Sequence, residues 1–365
     1  MTTEARVVVL PQEPGPLQIH TVQLPDPGPH QVVIKQYASG VCHSQLHNMH
    51  RERKTHVVLG HEATGIVLQT GSDVNHVKEG DTVLVTWVPR DATNTSRSPE
   101  PAKVKLPSGE MAYSNNVFTW ADHTIADEQF VVKVDSGIDK EVTSIIGCAV
   151  MTGAGAVENT AKVKAGNSVA VFGVGGVGLS AVVSARALKA NPIIAIDLDA
   201  KKLEFARQFG ATHTINAAET DAIAAIREIT KDESKRSYTG QPIAGVDFAF
   251  DCIGLKKTME QIVPAVRDGC IGDTPGGTAV LVGVPMTNVE LNATDILLNE
   301  KKFIGSIGGS CSPDRDFGKY LDWHTEGLLD LNVLVTERFS LDDINVATDA
   351  LAAGKIAGRS ILVFD

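Results

Sequence analysis

The run Val169-Ala170-Val171-Phe172-Gly173-Val174-Gly175-Gly176-Val177-Gly178 decides the fold of this 365-residue chain. Its apolar first half predicts a buried strand, with residue 168 included. Glycines at 173, 175 and 178 then lead into a helix in the spacing Gly-x-Gly-x-x-Gly. Glycines gather in any turn, so that spacing alone is a weak signal, and the context on both sides has to carry it. Residues 179–190 have helical apolar spacing, residues 192–196 form a second apolar run, and Asp197 ends it.

A strand, glycine loop, helix and acid-tipped strand in that order predict a dinucleotide site. Gly173 makes the tight turn, Gly175 lets a pyrophosphate approach the backbone, and Gly178 lets helix and strand pack closely. The start of the helix, through Gly176 and Val177, offers amide donors and a positive dipole end to phosphates. Asp197 is expected to accept both hydroxyls of the adenosine ribose and to repel a 2′-phosphate. Leu198 and Asp199 follow with no arginine, so NAD is favoured over NADP. The plainer reading of Asp197 is a strand-end aspartate capping a loop.

Working outward, the alternation continues. A helix is expected over 201–209 and strands over 246–252, 278–283 and 302–307, which together imply a doubly wound parallel sheet of the Rossmann type. Upstream the texture differs. Short valine- and isoleucine-containing runs (31–35, 65–68, 81–85) alternate with turns such as Pro25-Asp26-Pro27-Gly28-Pro29, as in an antiparallel, barrel-like unit. Residues 89–116 are polar with few apolar anchors and read as a long surface excursion, held by packing and hydrogen bonds or mobile. The closing run Ile361-Leu362-Val363-Phe364 is expected to return to the first domain. The fold class is therefore α/β, with one domain over 1–150 and 309–365 and a dinucleotide domain over 151–308.

Composition narrows the function classes. Hydrophobic residues make up 43% and charged residues 21%, which is ordinary for a globular chain. A net charge of −11 disfavours nucleic acid, whose phosphates require a basic surface. The start, Met1-Thr2-Thr3-Glu4-Ala5-Arg6, lacks the basic and apolar regions of a signal peptide, and no run of about 18 apolar residues occurs. No membrane partner and a cytoplasmic location are expected. Five scattered cysteines (42, 148, 252, 270, 311) argue against a disulfide framework.

Three segments carry residues that suit zinc: Gly40-Val41-Cys42-His43-Ser44, Gly60-His61-Glu62-Ala63-Thr64-Gly65 and Gly147-Cys148-Ala149-Val150. Taken singly, each also fits plain burial or a surface pair, and spacing leaves both readings open. Together with the glycine fingerprint and residues 354–359, they make the chain resemble the zinc-dependent medium-chain alcohol dehydrogenases over nearly its whole length. The resemblance implies a β-rich GroES-like catalytic domain beside the Rossmann domain. It implies one catalytic zinc on Cys42, His61 and Cys148, with Glu62 as an intermittent ligand or a neighbour of the metal. It implies hydride transfer between an alcohol and NAD, with Ser44 taking the alcohol proton and relaying it through the nicotinamide ribose to His47. His43, Lys202 and Arg359 match cofactor-contacting positions, and Thr152 is expected at the nicotinamide face. Cys252, Cys270 and Cys311 match no ligand position and are assigned to burial. A homodimer or homotetramer, formed through the edge near residues 280–307, and a small alcohol or aldehyde substrate complete the expectation.

Two departures stand out. Many relatives hold a structural zinc on four cysteines in the lobe corresponding to residues 88–118, and this chain has no cysteine there. Gln45 stands where the family often has aspartate, a residue that would orient a zinc ligand through a charged hydrogen bond. Trp87, Phe118 and Trp120 point to an aromatic-lined cleft or to core. Two rival classes remain, separable by metal content and turnover. One is a zinc-free NAD(P)H-dependent quinone or enone reductase on the same fold; the other is a non-catalytic NAD-binding protein.

Overall fold

Six short strands of one unit, Val150–Cys311, lie parallel in the order His213–Asn216, Ile193–Asp197, Val169–Phe172, Phe248–Asp251, Thr278–Leu281, Lys302–Gly305. In a computed structural model the described residues are 3–91, 97–270 and 272–365. The chain runs outward from Val169–Phe172 to one edge, then returns to its other side, so the strand order reverses beside the glycine loop. In sheets of this kind ligands bind at that reversal, outside the carboxyl ends of the strands. The core is aliphatic and aromatic, with Phe172, Ile194, Ile196, Ile226, Ala249 and Ile262 fully buried.

The expected strands form within or beside their apolar runs, because the run ends turn out into loops. The helix expected over 179–190 begins earlier, as Gly176–Ala187, and that over 201–209 is Ala200–Phe209. Strand His213–Asn216 was not expected. It buries only Ile215 fully and is an edge strand, so no apolar run marks it. Gly173 turns at φ +85°, and a Cβ on Gly178 would overlap the Gly173 carbonyl oxygen. The loop is thus closed by a contact only glycine permits.

The second unit, Met1–Ala149 with Ser312–Asp365, is β-rich. One sheet joins Gln18–Leu24, Thr3–Leu10, His56–Val58, Met111–Tyr113 and Lys103–Lys105. The other is built around Gln31–Gly40, which pairs with Ala63–Thr70, His123–Asp127 and the closing strand Arg359–Val363. The C-terminal run therefore does return to this unit, antiparallel to Gln31–Gly40.

The polar stretch over 89–116 is not a surface excursion throughout. Residues 92–96 lie outside the described residues. From Arg97 onward the chain folds back as a hairpin whose Ala102, Val104, Leu106 and Ala112 enter the core with Val7, Val22 and Val58. Alternation hid it: in Lys103–Lys105 only Val104 points inward. Arg97 fastens the segment, donating to Asp127 at 2.5 and 2.9 Å, while Glu100 and Gln129 donate their amides to the same carboxylate. Phe118 and Trp120 are core residues, with the Trp120 indole donating to the Gly40 carbonyl. No disulfide joins the cysteines. Cys311 is buried as expected, whereas Cys252 and Cys270 are only half-buried, each beside a loop. Among the described residues no helix is long and apolar enough to cross a membrane.

Burial pushes the Asp127 carboxyl up, but Arg97 and the two amides outweigh it and hold it below the usual carboxylate range. A carboxylate so lowered contributes stability above about pH 4 that is lost as pH falls through its folded value. Replacing Arg97 by methionine is expected to cost about 2 kcal/mol near neutral pH, read from urea unfolding. The gap from wild type should close on acidification; equal urea midpoints at neutral pH would show that the ion pair does not hold this lobe.

Candidate active site

Cys42, His61 and Cys148 come from three separate segments of the β-rich unit. Cys42 ends the extended backbone ahead of helix His43–His50, at φ −98° and ψ 140°. His61 lies between strands His56–Val58 and Ala63–Thr70, and Cys148 lies in the π-turn Ile146–Val150. Their donor atoms all fall within 4.8 Å of one another. The two sulfurs are 3.9 Å apart, and His61 Nε2 is 3.1 Å from Cys148 Sγ. Donors held 2.0–2.3 Å from a tetrahedral zinc stand about 3.3–3.8 Å apart, and these two spacings fall just outside that range, so small shifts bring two thiols and an imidazole onto zinc. A hydrogen bond from Cys148 holds the Cys42 thiol well below its ordinary range, with Arg359 and His61 assisting against burial. The thiolate is the form in which a cysteine ligates metal.

Glu62 is fully buried beside these groups. Its carboxylate accepts from the Arg359 guanidinium and, at 3.1 Å, from the Ala149 amide. Burial pushes its pKa up, and Arg359 pulls the other way. Gly40 makes the room: a Cβ there would overlap the Glu62 carboxylate. Arg359, expected at a cofactor phosphate, is 6% exposed with its guanidinium on Glu62. Its place beside the metal group had no local signal, because nothing in a C-terminal Gly-Arg reports a partner at residue 62. Gln45 Oε1 accepts from Gly60 N at 2.9 Å, and its Nε2 lies 2.6 Å from His61 Nδ1. Trp87 meets the His61 ring edge-on at 6.4 Å between centroids, so of the three aromatics it alone stands at the metal group.

Ser44 Oγ lies 3.3 Å from Cys42 Sγ. His47 is half-buried, three residues further along the same short helix and so on the same face, with its ring edge against that of exposed His43. Burial, with Arg51 and His50 nearby, lowers the His47 pKa.

In the other unit, Asp197 accepts amides from Val174 at 3.0 Å, Leu198 at 2.7 Å and Asp199 at 3.1 Å. It thus caps the loop and still has lone pairs to spare. A Cβ on Gly175 would meet no protein atom within 4 Å, so the space over the helix start is open to a ligand. Thr152 Oγ1 is buried without a hydrogen-bond partner, the kind of atom a carboxamide would satisfy. Lys202 is half-exposed in the first turn of Ala200–Phe209.

Residues 28–136 match the family described as alcohol dehydrogenase GroES-like domain, and residues 176–326 match that described as zinc-binding dehydrogenase. The chain is 31% identical over 392 residues to an alcohol dehydrogenase class-3 of Cereibacter sphaeroides, covering 100% of both chains. The chain belongs to the zinc-dependent medium-chain alcohol dehydrogenases. To S-(hydroxymethyl)glutathione dehydrogenase of Escherichia coli it is 32% identical over 379 residues, covering 97% of this chain and 98% of the other. Its fold superposes on benzyl alcohol dehydrogenase of Acinetobacter calcoaceticus with a TM-score of 0.85 at 26% identity, both chains fully covered. As a member of the family it is a zinc-dependent, NAD-linked oxidoreductase of alcohols and aldehydes.

Proposed function

We propose that this dehydrogenase oxidises primary alcohols with an apolar, ring-bearing substituent, with Cys42, His61 and Cys148 holding its catalytic zinc. The observation that carries the reading is the convergence of those three donors within 4.8 Å, with Trp87 against His61. An indole beside the metal group supplies a flat apolar surface for such a substituent. The Met1–Ala149 and Ser312–Asp365 unit serves as the catalytic domain, and Val150–Cys311 binds the cofactor through Gly173, Gly175, Gly176, Val177, Gly178, Asp197, Lys202 and Thr152. Asp197 supports NAD over NADP, since its carboxylate repels a 2′-phosphate.

Zinc at such a site supplies Lewis acidity to an alcohol oxygen, and nicotinamide supplies a hydride acceptor. The protein's own residues handle the proton. Ser44, at the ligand set, both accepts and donates a proton, and His47 on the same helix face delivers it toward solvent. Glu62 pairs with Arg359 and so gives that buried guanidinium a partner beside the metal group. His43 adds a basic side chain at the helix start. A cytoplasmic location suits five unbridged cysteines, a reading that cell fractionation checks.

Two measurements test the core of this reading. Metal analysis of undamaged protein is expected to give about one zinc per chain, and a content under about 0.2 would sink the ligand assignment. With zinc present, benzyl and aliphatic alcohols are to be compared using NAD and NADP side by side. The expected outcome is faster reduction of NAD, with benzylic substrates preferred; no turnover with any alcohol or aldehyde would remove the function.

His47 accepts a proton only when neutral. A pKa below the ordinary histidine value of about 6.5 keeps it neutral further into acid, so oxidation should fall only as pH drops through that lowered value. His47→Ala is expected to slow alcohol oxidation about 100-fold, with partial recovery on adding imidazole. An unchanged rate and pH profile would take His47 out of the relay.

The edge strand Lys302–Gly305 is flanked in sequence by exposed Leu297 (75%) and Ile307 (77%). Unpaired edges with apolar neighbours invite pairing, and a homodimer through this edge, alone or within a homotetramer, is the expected assembly. Light scattering should give at least twice the chain mass, and Ile307→Glu should lower it to one chain. A monomeric wild-type protein would overturn the assembly.

A further inference from the structure

Gln45 stands at the metal group where relatives often carry aspartate, and its hydrogen bonds fix more than its position. The Gly60 N–H can only donate, so the atom facing it at 2.9 Å has to be the amide oxygen. The amide nitrogen then faces His61 Nδ1 at 2.6 Å, and an NH₂ group can only donate. Nδ1 must therefore be the acceptor. A neutral imidazole carries its single hydrogen on the other nitrogen, Nε2, which points at Cys148 Sγ 3.1 Å away. That is the nitrogen zinc requires as a lone-pair donor.

We infer that Gln45 is a positioning residue that favours the Nε2–H tautomer of His61 and so makes the zinc of this enzyme readily exchangeable. The inference rests on reading Cys42, His61 and Cys148 as the ligand set. For His61 to ligate through Nε2, its proton has to leave that nitrogen and a proton has to reside on Nδ1. Nδ1–H then meets the amide NH₂, donor against donor. Turning the amide over relieves that clash but sets the NH₂ against the Gly60 N–H instead. Either arrangement gives up one hydrogen bond in a site where Gln45 is buried. A carboxylate at this position would accept from Gly60 N–H and from His61 Nδ1–H at once, with no such conflict. Hydrogen-bond partners of metal-bound histidines commonly change metal affinity about 10- to 100-fold, so the difference is measurable.

The test uses the full-length chain, zinc-loaded and metal-free, and two readouts other than activity. Zinc transfer to a chromogenic chelator is followed for wild type, Gln45→Glu and Gln45→Met. Long-range ¹H–¹⁵N NMR of the metal-free wild type reports which nitrogen of His61 is protonated. The expected results are a His61 protonated on Nε2, zinc release about 10-fold slower or more in Gln45→Glu, and an intermediate rate in Gln45→Met. Should Gln45→Glu not fold, Gln45→Asp supplies the same carboxylate, and the NMR measurement needs no variant. A His61 protonated on Nδ1 in the metal-free wild type, or release from the carboxylate variant within about twofold of wild type, overturns the inference. Failure of the wild-type chain to take up zinc would instead overturn the ligand assignment on which it rests.

Discussion

A single buried carboxylate ties the metal half of this enzyme together. Glu62 pairs with Arg359 from the closing strand, and its second oxygen accepts the Ala149 amide next to Cys148. Its backbone carbonyl accepts from Ser39 Oγ, Gly40 N and Thr119 Oγ1. Four otherwise separate segments thus converge on one residue whose chain neighbour is His61 of the metal group. Each donor atom of the metal group stands on a segment that Glu62 touches or adjoins.

Placing an ion pair in an apolar interior is costly, and such pairs often add little net stability against a well-packed apolar alternative. Removing one member is another matter, since it leaves a buried charge uncompensated. The Glu62–Arg359 pair is therefore better understood as a locator than as a source of stability. Arg359 has further use for its charge, because it also helps to lower the Cys42 thiol pKa. A guanidinium between Glu62 and Cys42 favours the charged form of both. Gly40 is the concession the chain makes: its missing side chain is the volume that the carboxylate occupies.

How much of this was legible in the sequence follows from range. The dinucleotide loop is local: strand, turn and helix lie within Val169–Ala187, and the positive φ of Gly173 and the close approach of Gly178 to it both fall inside that stretch. The metal group is non-local, and its candidate ligands came from resemblance alone, since no periodicity links residues 42, 61 and 148. The hairpin at 103–113 was missed because three-residue strands that bury one side chain each look polar. Phe118 and Trp120 carried an ambiguity that composition cannot resolve, and their burial assigns them to core, leaving Trp87 at His61. Gln45 was visible as a departure, but its direction of action was not. That direction depends on the Gly60 N–H, a backbone donor with no trace in residue identity.

The same contrast of range governs when each half can form. The glycine loop needs only a strand, its following helix and the next strand, which come together early and cheaply in loop entropy. The metal group requires strand Arg359–Val363 to dock antiparallel on Gln31–Gly40, because the Val41 amide donates to the Ser360 carbonyl directly before Cys42. Contacts of that sequence separation form late in folding. Until the closing strand is in place Glu62 lacks Arg359, and the turn carrying Cys42 lacks its backbone partner. The grouping of Cys42, His61 and Cys148 is consequently a property of the completed β-rich unit, and the C-terminal strand, which supplies none of the three, completes it.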